Sequence, residues 1–279
     1  MFKSAIALHV SIATLLAASH SNAECSSKLG GIIEMEQPYL PFELLARANA
    51  TKDEFETTPD YQIRLAASKA FVKNRKFIAE ITPSRSGVEY DADNERLKIS
   101  VYAWSLIGGH FDQIFTEDNA LKVPELRSSD KVHGLGLLEI RIGQGSYSAT
   151  NVYGAVTTVN YSSRKIYSLF DRTARANEKM WALDFPPSGD FLKNNYVPGG
   201  IFIAMPAAKA RQLKESIRFA VEFSAKEPFA ASATGYRTPT LSQPSSSSDE
   251  VNMMFGKITC AIVTDEKGTV LKLVPVSYK

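Results

Sequence analysis

The sequence predicts an α+β protein, with an antiparallel sheet or β-sandwich, one N-terminal helix and a short helix near residue 206. Three patterns carry this prediction. A helical periodicity occurs once early in the chain, apolar and polar residues alternate through the middle, and a proline opens a second helical segment between two late apolar runs. The alternation is typical of strands whose two faces meet different environments.

The N-terminal helix is predicted over residues 60–74. Pro59 suits the first turn, and Tyr61, Leu65 and Val72 recur at helical spacing before a basic end. The preceding residues 26–41 contain glycines and prolines and are predicted to be extended. In the short helix that Pro206 opens, residues 210, 213 and 217 share one face.

The strands are predicted from short alternating runs. These runs cover residues 77–81, 87–90, 97–104, 138–142, 151–161, 165–170, 180–185, 201–205, 219–223, 251–263 and 269–274. The glycines of residues 143–145 are expected to break one run. Turn-forming residues at 91–94 and 265–268 predict two tight connections, the second with Gly268 in the left-handed position.

Residues 1–23 have the parts of a cleavable signal peptide. Lys3 gives a positive start, residues 5–18 form an apolar stretch without Asp, Glu, Lys or Arg, and small residues precede Glu24. The stretch is shorter than the roughly 20 residues that span a bilayer as a helix. We therefore expect cleavage before Glu24, no transmembrane anchor afterwards, and one periplasmic or secreted domain over residues 24–279.

Cys25 and Cys260 are the two cysteines of the chain. An even count in an exported protein favours a disulfide between them. The alternative is a buried free Cys260 and a mobile Cys25. Neither cysteine has a histidine or a second cysteine at metal-ligand spacing, so a metal site is not expected.

Charge and motifs limit the partners and cofactors. The 32 Lys and Arg residues nearly balance the 30 Asp and Glu residues, which gives no reason to expect nucleic acid. The segment His133-Gly134-Leu135-Gly136 lacks the third glycine of a dinucleotide fingerprint, and no P-loop occurs. Residues 91–95 carry alternating oxygens but fit a hairpin turn better than a calcium loop. No cofactor is predicted.

The segment from Gly108 to Asp112 is the main catalytic candidate. Its paired glycines could present N–H groups to an oxyanion, with His110 as a base and Asp112 nearby. No G-x-S-x-G elbow supplies a nucleophile, and a loop would use these glycines for turning. Paired carboxylates for glycoside cleavage cannot be chosen from the sequence.

Aromatic residues are frequent in the β-rich middle of the chain. They are Tyr147, Tyr153, Tyr161, Tyr167, Phe170, Trp181 and Phe185. Such residues could form a carbohydrate or peptide platform, but strands also use them to fill cores. The core is the better interpretation for most of them, with one or two exposed.

Residues 230–250 are rich in Ser, Thr and Pro and are predicted to form a flexible loop. Such a loop serves either as a binding loop or as a tolerated insertion, and the second interpretation is favoured.

The sequence favours a non-enzymatic binding or structural domain that binds an envelope component or a protein partner. The alternative is a hydrolase of envelope polymers that uses His110. The two differ because a hydrolase needs a concave site with convergent catalytic groups, whereas a binding domain needs an exposed apolar or aromatic patch.

Overall fold

The computed structural model of the chain describes residues 25–82, 87–100, 134–150, 152–170 and 200–275. The helices in these ranges are α1 (Tyr39–Arg47), α2 (Thr58–Asn74) and α3 (Ala207–Leu213). The strands are β1 (Lys76–Ile81), β2 (Val88–Asp91), β3 (Arg96–Ser100), β4 (Gly134–Thr150), β5 (Val156–Phe170), β6 (Gly200–Ala204), β7 (Arg218–Arg237), β8 (Ser245–Thr264) and β9 (Val270–Pro275). The predicted α+β class is confirmed, including the N-terminal helix and the short helix after Pro206.

The described strands form two sheets. The larger has the order β1-β7-β8-β5-β4, with β9 also paired to β8, and the smaller has the order β2-β3-β6. The pairings are antiparallel except that β5 and β8 run parallel. The Thr82 N–H donates to the Leu137 carbonyl at 2.9 Å, which links the end of β1 to β4. The larger sheet therefore curls toward itself at this end.

The main core lies on one face of the larger sheet. Phe219, Val221 and Phe223 alternate along β7 and are all 0 % exposed. Phe77 of β1 stacks on Phe223 with ring centroids 5.3 Å apart. Other elements add one or more buried residues to this cluster, among them Leu45 of α1, Val72 of α2, Ile99 of β3 and Ala210 of α3. The period-two pattern of β7 thus places its apolar side chains on one face.

Helix α2 agrees with the prediction for residues 60–74 and begins two residues earlier. The Thr57 hydroxyl accepts the Asp60 N–H at 3.3 Å, which satisfies one of the free N–H groups at the helix start. Pro59 lies in the first turn and Lys73 in the last. The expectation that residues 26–41 are extended is wrong for the last residues of this range, because α1 begins at Tyr39 and Pro41 lies within its first turn.

Residues 25–37, here called the strap, cross the opposite face of the larger sheet. The Ile33 N–H donates to the Gly268 carbonyl at 3.0 Å, and the Glu36 N–H donates to the Ile78 carbonyl at 2.8 Å. A second apolar cluster lies on this face and includes Ala220, Ile262 and Val270 with Ile33 packed against it. The strap therefore covers apolar surface that the sheet would otherwise expose.

A disulfide joins the strap to the sheet. Cys25 bonds to Cys260 of β8, with their Cα atoms 5.2 Å apart, as the sequence predicts. The alternative of two free cysteines is therefore wrong.

Two predicted turns are confirmed. The Asp91 carboxylate accepts the Asn94 N–H at 3.2 Å in the turn between β2 and β3. Between β8 and β9, the Asp265 N–H bonds to the Thr269 carbonyl at 3.0 Å and Gly268 has a φ of +83°. Both are turns in which an aspartate satisfies nearby backbone groups.

Replacing Gly268 with alanine should lower the free energy of unfolding by about 2–3 kcal/mol. A Cβ there would lie 2.5 Å from the Ile33 carbonyl oxygen of the strap, and the positive φ adds backbone strain. The strap would have to move away from the turn. Urea unfolding of the purified disulfide-bonded protein measures the effect.

Gly154→Ala is the matched control. Gly154 has the same φ of +83°, but an added Cβ there has no atom within 4 Å. This control should lose only about 1 kcal/mol, the cost of a side chain in the left-handed region. Equal losses in the two variants would contradict the close contact between Gly268 and the strap.

The loop predicted over residues 230–250 is wrong for most of its length. Strand β7 continues to Arg237, and β8 begins at Ser245. Tyr236 pairs with Ser248 across these strands, and Ser248 also pairs with Ser163 of β5 on its other side. Backbone hydrogen bonds from two neighbours thus impose a strand on a segment with few apolar side chains.

The glycines of residues 143–145 do not break β4. The strand runs through them to Thr150, and a register shift between Arg141 and Gly143 absorbs the irregularity. This is the usual place of glycine in a strand that carries a bulge.

Candidate binding surface

The catalytic residues suggested by the sequence, His110 and Asp112, lie outside the described residues. Trp181, Phe185 and the signal peptide predicted over residues 1–23 also lie outside them. Within the part of the chain that the structure describes, no group of three His, Cys, Asp or Glu side chains could hold a metal ion.

A cavity of about 420 Å³ lies between the strap, α1 and the end of α2. It is lined by Glu34, Glu36, Leu40, Glu43, Leu44, Arg47 and Arg75. The Arg75 guanidinium forms an ion pair with Glu36 and lies 5.0 Å from the centre of the Phe77 ring. These contacts anchor the strap. The lining contains the carboxylates of Glu34, Glu36 and Glu43 but no histidine, serine or cysteine.

The larger sheet continues beyond the core as a four-stranded extension. The extension consists of residues 140–150 of β4, 156–165 of β5, 230–237 of β7 and 245–250 of β8. In β5 every residue from Ile166 to Phe170 is buried, whereas most of those before it are exposed or half-exposed. Both faces of the extension therefore contact solvent along most of their length.

Register places three exposed tyrosines on one face of the extension. Tyr161 is paired with Gly145 and Tyr147 with Val159, and Tyr236 lies on the same face two strands away. Tyr147, Tyr161 and Tyr236 are 45 %, 42 % and 67 % exposed. This tyrosine face also carries Val159, paired with Tyr147, and Ile140, paired with Lys165. Most of its other residues are small or polar, among them Gly143, Gly145, Ser163, Thr234, Ser246 and Ser248.

A glycine makes room for one of these rings. A Cβ on Gly145 would lie 2.8 Å from the Tyr161 ring, so the ring lies directly over the Gly145 backbone. The Tyr147 ring is beside it, with the centroids 6.4 Å apart and the planes tilted by 41°. The two tyrosine rings thus restrict each other's movement and still expose aromatic surface.

A polar network lies between the tyrosines and the core, on the same face. The Ser232 hydroxyl donates to the Asn252 side-chain oxygen at 2.7 Å, and the Asn252 amide donates to Glu250 at 3.1 Å. Lys165 forms an ion pair with Glu250 at 2.9 Å. The hydrogen bond from Lys165 lowers the pKa of Glu250 despite the desolvation of the carboxyl group. The network ties β7, β8 and β5 together beneath the exposed surface.

The opposite face carries another charged cluster. Arg164 of β5 donates two hydrogen bonds to Asp249 of β8, at 2.8 and 2.6 Å, and lies 3.3 Å from Glu139 of β4. The hydrogen bond to Asp249 raises the pKa of Arg164 above its usual value. Since Arg164 contacts both neighbouring strands, this cluster fixes the register of the extension.

Among the strands that the structure describes, none pairs with the outer edge of β4 along the extension. In the described ranges β4 pairs with β5 alone, apart from the Thr82 contact at Leu137. Residues 142–150 contain no charged residue and no proline. Beyond the bulge at Gly143, this edge lacks the charges and prolines that discourage strand addition, so its backbone groups could pair with another chain.

The sequence identified part of this surface. Tyr147, Tyr153 and Tyr161 were named as candidates for a platform and are exposed, whereas Tyr167 and Phe170 are buried in the core. The expectation of one or two exposed aromatics is therefore too low, since three of the five described ones are exposed. Tyr236 was missed because its segment was assigned to a loop. The alternate positions of Ser232, Thr234 and Tyr236 could have indicated a strand with these residues on one face.

None of the helices in the described ranges is both long and apolar enough to cross a bilayer. Comparison of the chain with protein-family models, with curated proteins and with solved structures finds no match.

Proposed function

We propose that this protein is a non-enzymatic binding domain that recognises a polypeptide partner in the periplasm or outside the cell through its tyrosine face. The observation that carries the proposal is the exposure of Tyr147, Tyr161 and Tyr236 on one face of a sheet, where most of the neighbouring residues are small or polar. Large exposed aromatic surface on a rigid scaffold is typical of binding sites.

The composition of the tyrosine face favours a polypeptide. Tyrosine supplies broad amphipathic contact area at a small entropy cost, and serine and glycine supply adaptable hydrogen bonds, as in antibody paratopes. The paired rings of Tyr147 and Tyr161 are partly held before binding, which lowers the cost of ordering them. The open β4 edge beside them offers main-chain hydrogen bonds to an extended segment.

Action outside the cytoplasm is supported by the Cys25–Cys260 disulfide, because such bonds persist mainly in oxidising compartments. The signal peptide predicted over residues 1–23 points in the same direction. The hydrolase alternative depends on His110, which lies outside the described residues.

A photo-crosslinking amino acid at position 236 should form a discrete adduct in cells that export the protein. Tyr236 is 67 % exposed, so the replacement fits on the surface without disturbing the core. Protease digestion of the adduct should release peptides of a second protein. The same amino acid at Leu29 of the strap, which is 69 % exposed, is the matched control and should give no such adduct. Equal labelling at both positions, or an adduct without a second polypeptide, would refute the proposal.

Tyr161→Ala should weaken binding of the crosslinked partner by about 30-fold, the loss expected for one buried aromatic anchor. The ring covers Gly145 and supports Tyr147, so its removal affects the pair and not a single contact. Isothermal titration calorimetry with the purified partner measures the change, and Leu29→Ala should leave affinity unchanged. A Tyr161→Ala affinity within twofold of wild type would exclude the tyrosine face as the binding site.

A further inference from the structure

Helix α2 has an apolar stripe on its outward face. Ile63 is 70 % exposed and Phe71 is 53 % exposed, and between them Ala66, Ala67 and Ala70 are also exposed. Val72 is the one buried residue of this helix. The side chains that face the rest of the protein lie on the other side of the helix, so the stripe is not part of the core.

This arrangement differs from that of an ordinary surface helix, whose outward face is polar. The exposed residues follow the spacing i, i+4, i+7 and i+8 from Ile63, which keeps them on one side of the helix. Phe55, just before the helix, is 89 % exposed and adds further apolar surface near its start. A contiguous exposed stripe of this kind marks an interaction surface.

The stripe is symmetric about Ala67. Ile63 lies four residues before Ala67 and Phe71 lies four residues after it. Asp60 is the acidic residue of the first turn, and Lys73 is the basic residue of the last. An antiparallel second helix of the same sequence would therefore place Ile63 against Phe71 and Asp60 near Lys73.

We propose that α2 is the dimer interface of this protein, with a second copy docked antiparallel across Ala67. The alanines let the two helix backbones approach closely while Ile63 and Phe71 fill the space on either side. Opposite charges meet at both ends, and the two helix dipoles are antiparallel. Such a two-fold contact uses the same patch on both copies, which the symmetric spacing provides.

The charged residues at the two ends of α2, Asp60 and Lys73, are exposed and can contact the second copy. Lys73 forms an ion pair with Glu227 at 2.9 Å, but both side chains are 54 % exposed, so the pair is weak and can be shared. The Asp60 carboxylate accepts the Thr57 hydroxyl at 2.5 Å and lies on the exposed first turn. A helix from an unrelated protein would need neither the symmetry about Ala67 nor the matched ends.

Sedimentation equilibrium of the purified chain, with its signal peptide removed and its disulfide intact, tests the proposal. The wild-type chain should be a dimer at micromolar concentration. Ala67→Glu places two like charges at the centre of the interface and should raise the dimer dissociation constant at least about tenfold. Gln62→Glu makes the same charge change on an exposed position roughly 140° around the helix and should leave the dimer intact.

Cysteine crosslinking separates this interface from any other mode of dimerisation. Ala67→Cys should form a disulfide between two copies because the residue meets itself at the symmetry axis, whereas Gln62→Cys should not. Circular dichroism and an intact Cys25–Cys260 bond establish that each variant is folded. A monomeric wild-type chain, or a dimer that Ala67→Glu leaves unchanged, overturns the proposal. Tyr161→Ala should not alter the dimer, so this result is independent of the proposed binding function.

Discussion

Removing the Cys25–Cys260 disulfide is expected to lower the free energy of unfolding by about 3–5 kcal/mol. The bond joins residues 235 positions apart, so it restricts nearly the whole unfolded chain. It also holds the strap against the cluster of Ala220, Ile262 and Val270. Urea unfolding of Cys25→Ala/Cys260→Ala against the oxidised wild type measures the loss.

Reduced wild-type protein is the control for this substitution. It keeps both sulfur atoms, so it loses the covalent restriction without the small cavity that alanine leaves at the fully buried Cys260. Reduction and substitution should therefore give losses within about 1 kcal/mol of each other. A loss below 1 kcal/mol in both would mean that the strap is held by its other contacts alone.

Replacing Glu222 with alanine is expected to lower the free energy of unfolding by about 2–4 kcal/mol. This carboxylate is 0 % exposed in the middle of β7 and has partners on three elements. It accepts the Ser26 N–H at 3.0 Å and the Thr259 hydroxyl at 2.8 Å, and it lies 3.1 Å from the Lys76 ammonium. Alanine would leave these groups without their common acceptor. Urea unfolding at neutral pH measures the loss.

Glu222→Gln is the control, since it keeps the size and an acceptor oxygen while removing the charge. Its loss should be smaller than that of alanine. If the two losses are equal, the charge of Glu222 stabilises the fold and its hydrogen bonds to Ser26 and Thr259 do not.

The same carboxylate should make stability depend on pH. Burial alone would raise the pKa of Glu222, but the hydrogen bonds from Ser26, Thr259 and Lys76 outweigh it and hold the pKa below its usual value. The contribution is therefore complete above the unfolded pKa of about 4.3 and is lost as the pH falls through the folded pKa. The difference in stability between wild type and Glu222→Gln should shrink as the pH decreases through this window.

Much of the fold follows from local patterns in the sequence. Helix α2 was predicted to within two residues because a cap, a proline and helical periodicity all agree there. The turn at Gly268 follows from the residues of the turn itself, and the disulfide follows from a count of two cysteines in a chain that the sequence predicts to be exported. Helix α1 was missed because its prolines read as breakers, although proline is tolerated in a first turn.

The extension could not be predicted in the same way. Residues 245–248 are four consecutive serines, which have no strand periodicity and no apolar face. They form a strand because β5, which is far away in the chain, pairs with all four serines, and β7 pairs with Ser247 and Ser248 from the other side. The parallel pairing of β5 with β8 is a long-range contact that no local pattern reports.

By itself, the sequence determined the α+β class, the main helix, the tight turns and the cysteine pair, because these depend on neighbouring residues or on composition. Only the tertiary structure decided which tyrosines are exposed, that Glu222 holds the strap, and that α2 turns an apolar stripe outward. Each of these is a matter of which surfaces are covered, and coverage depends on residues that are distant in the chain and adjacent in space.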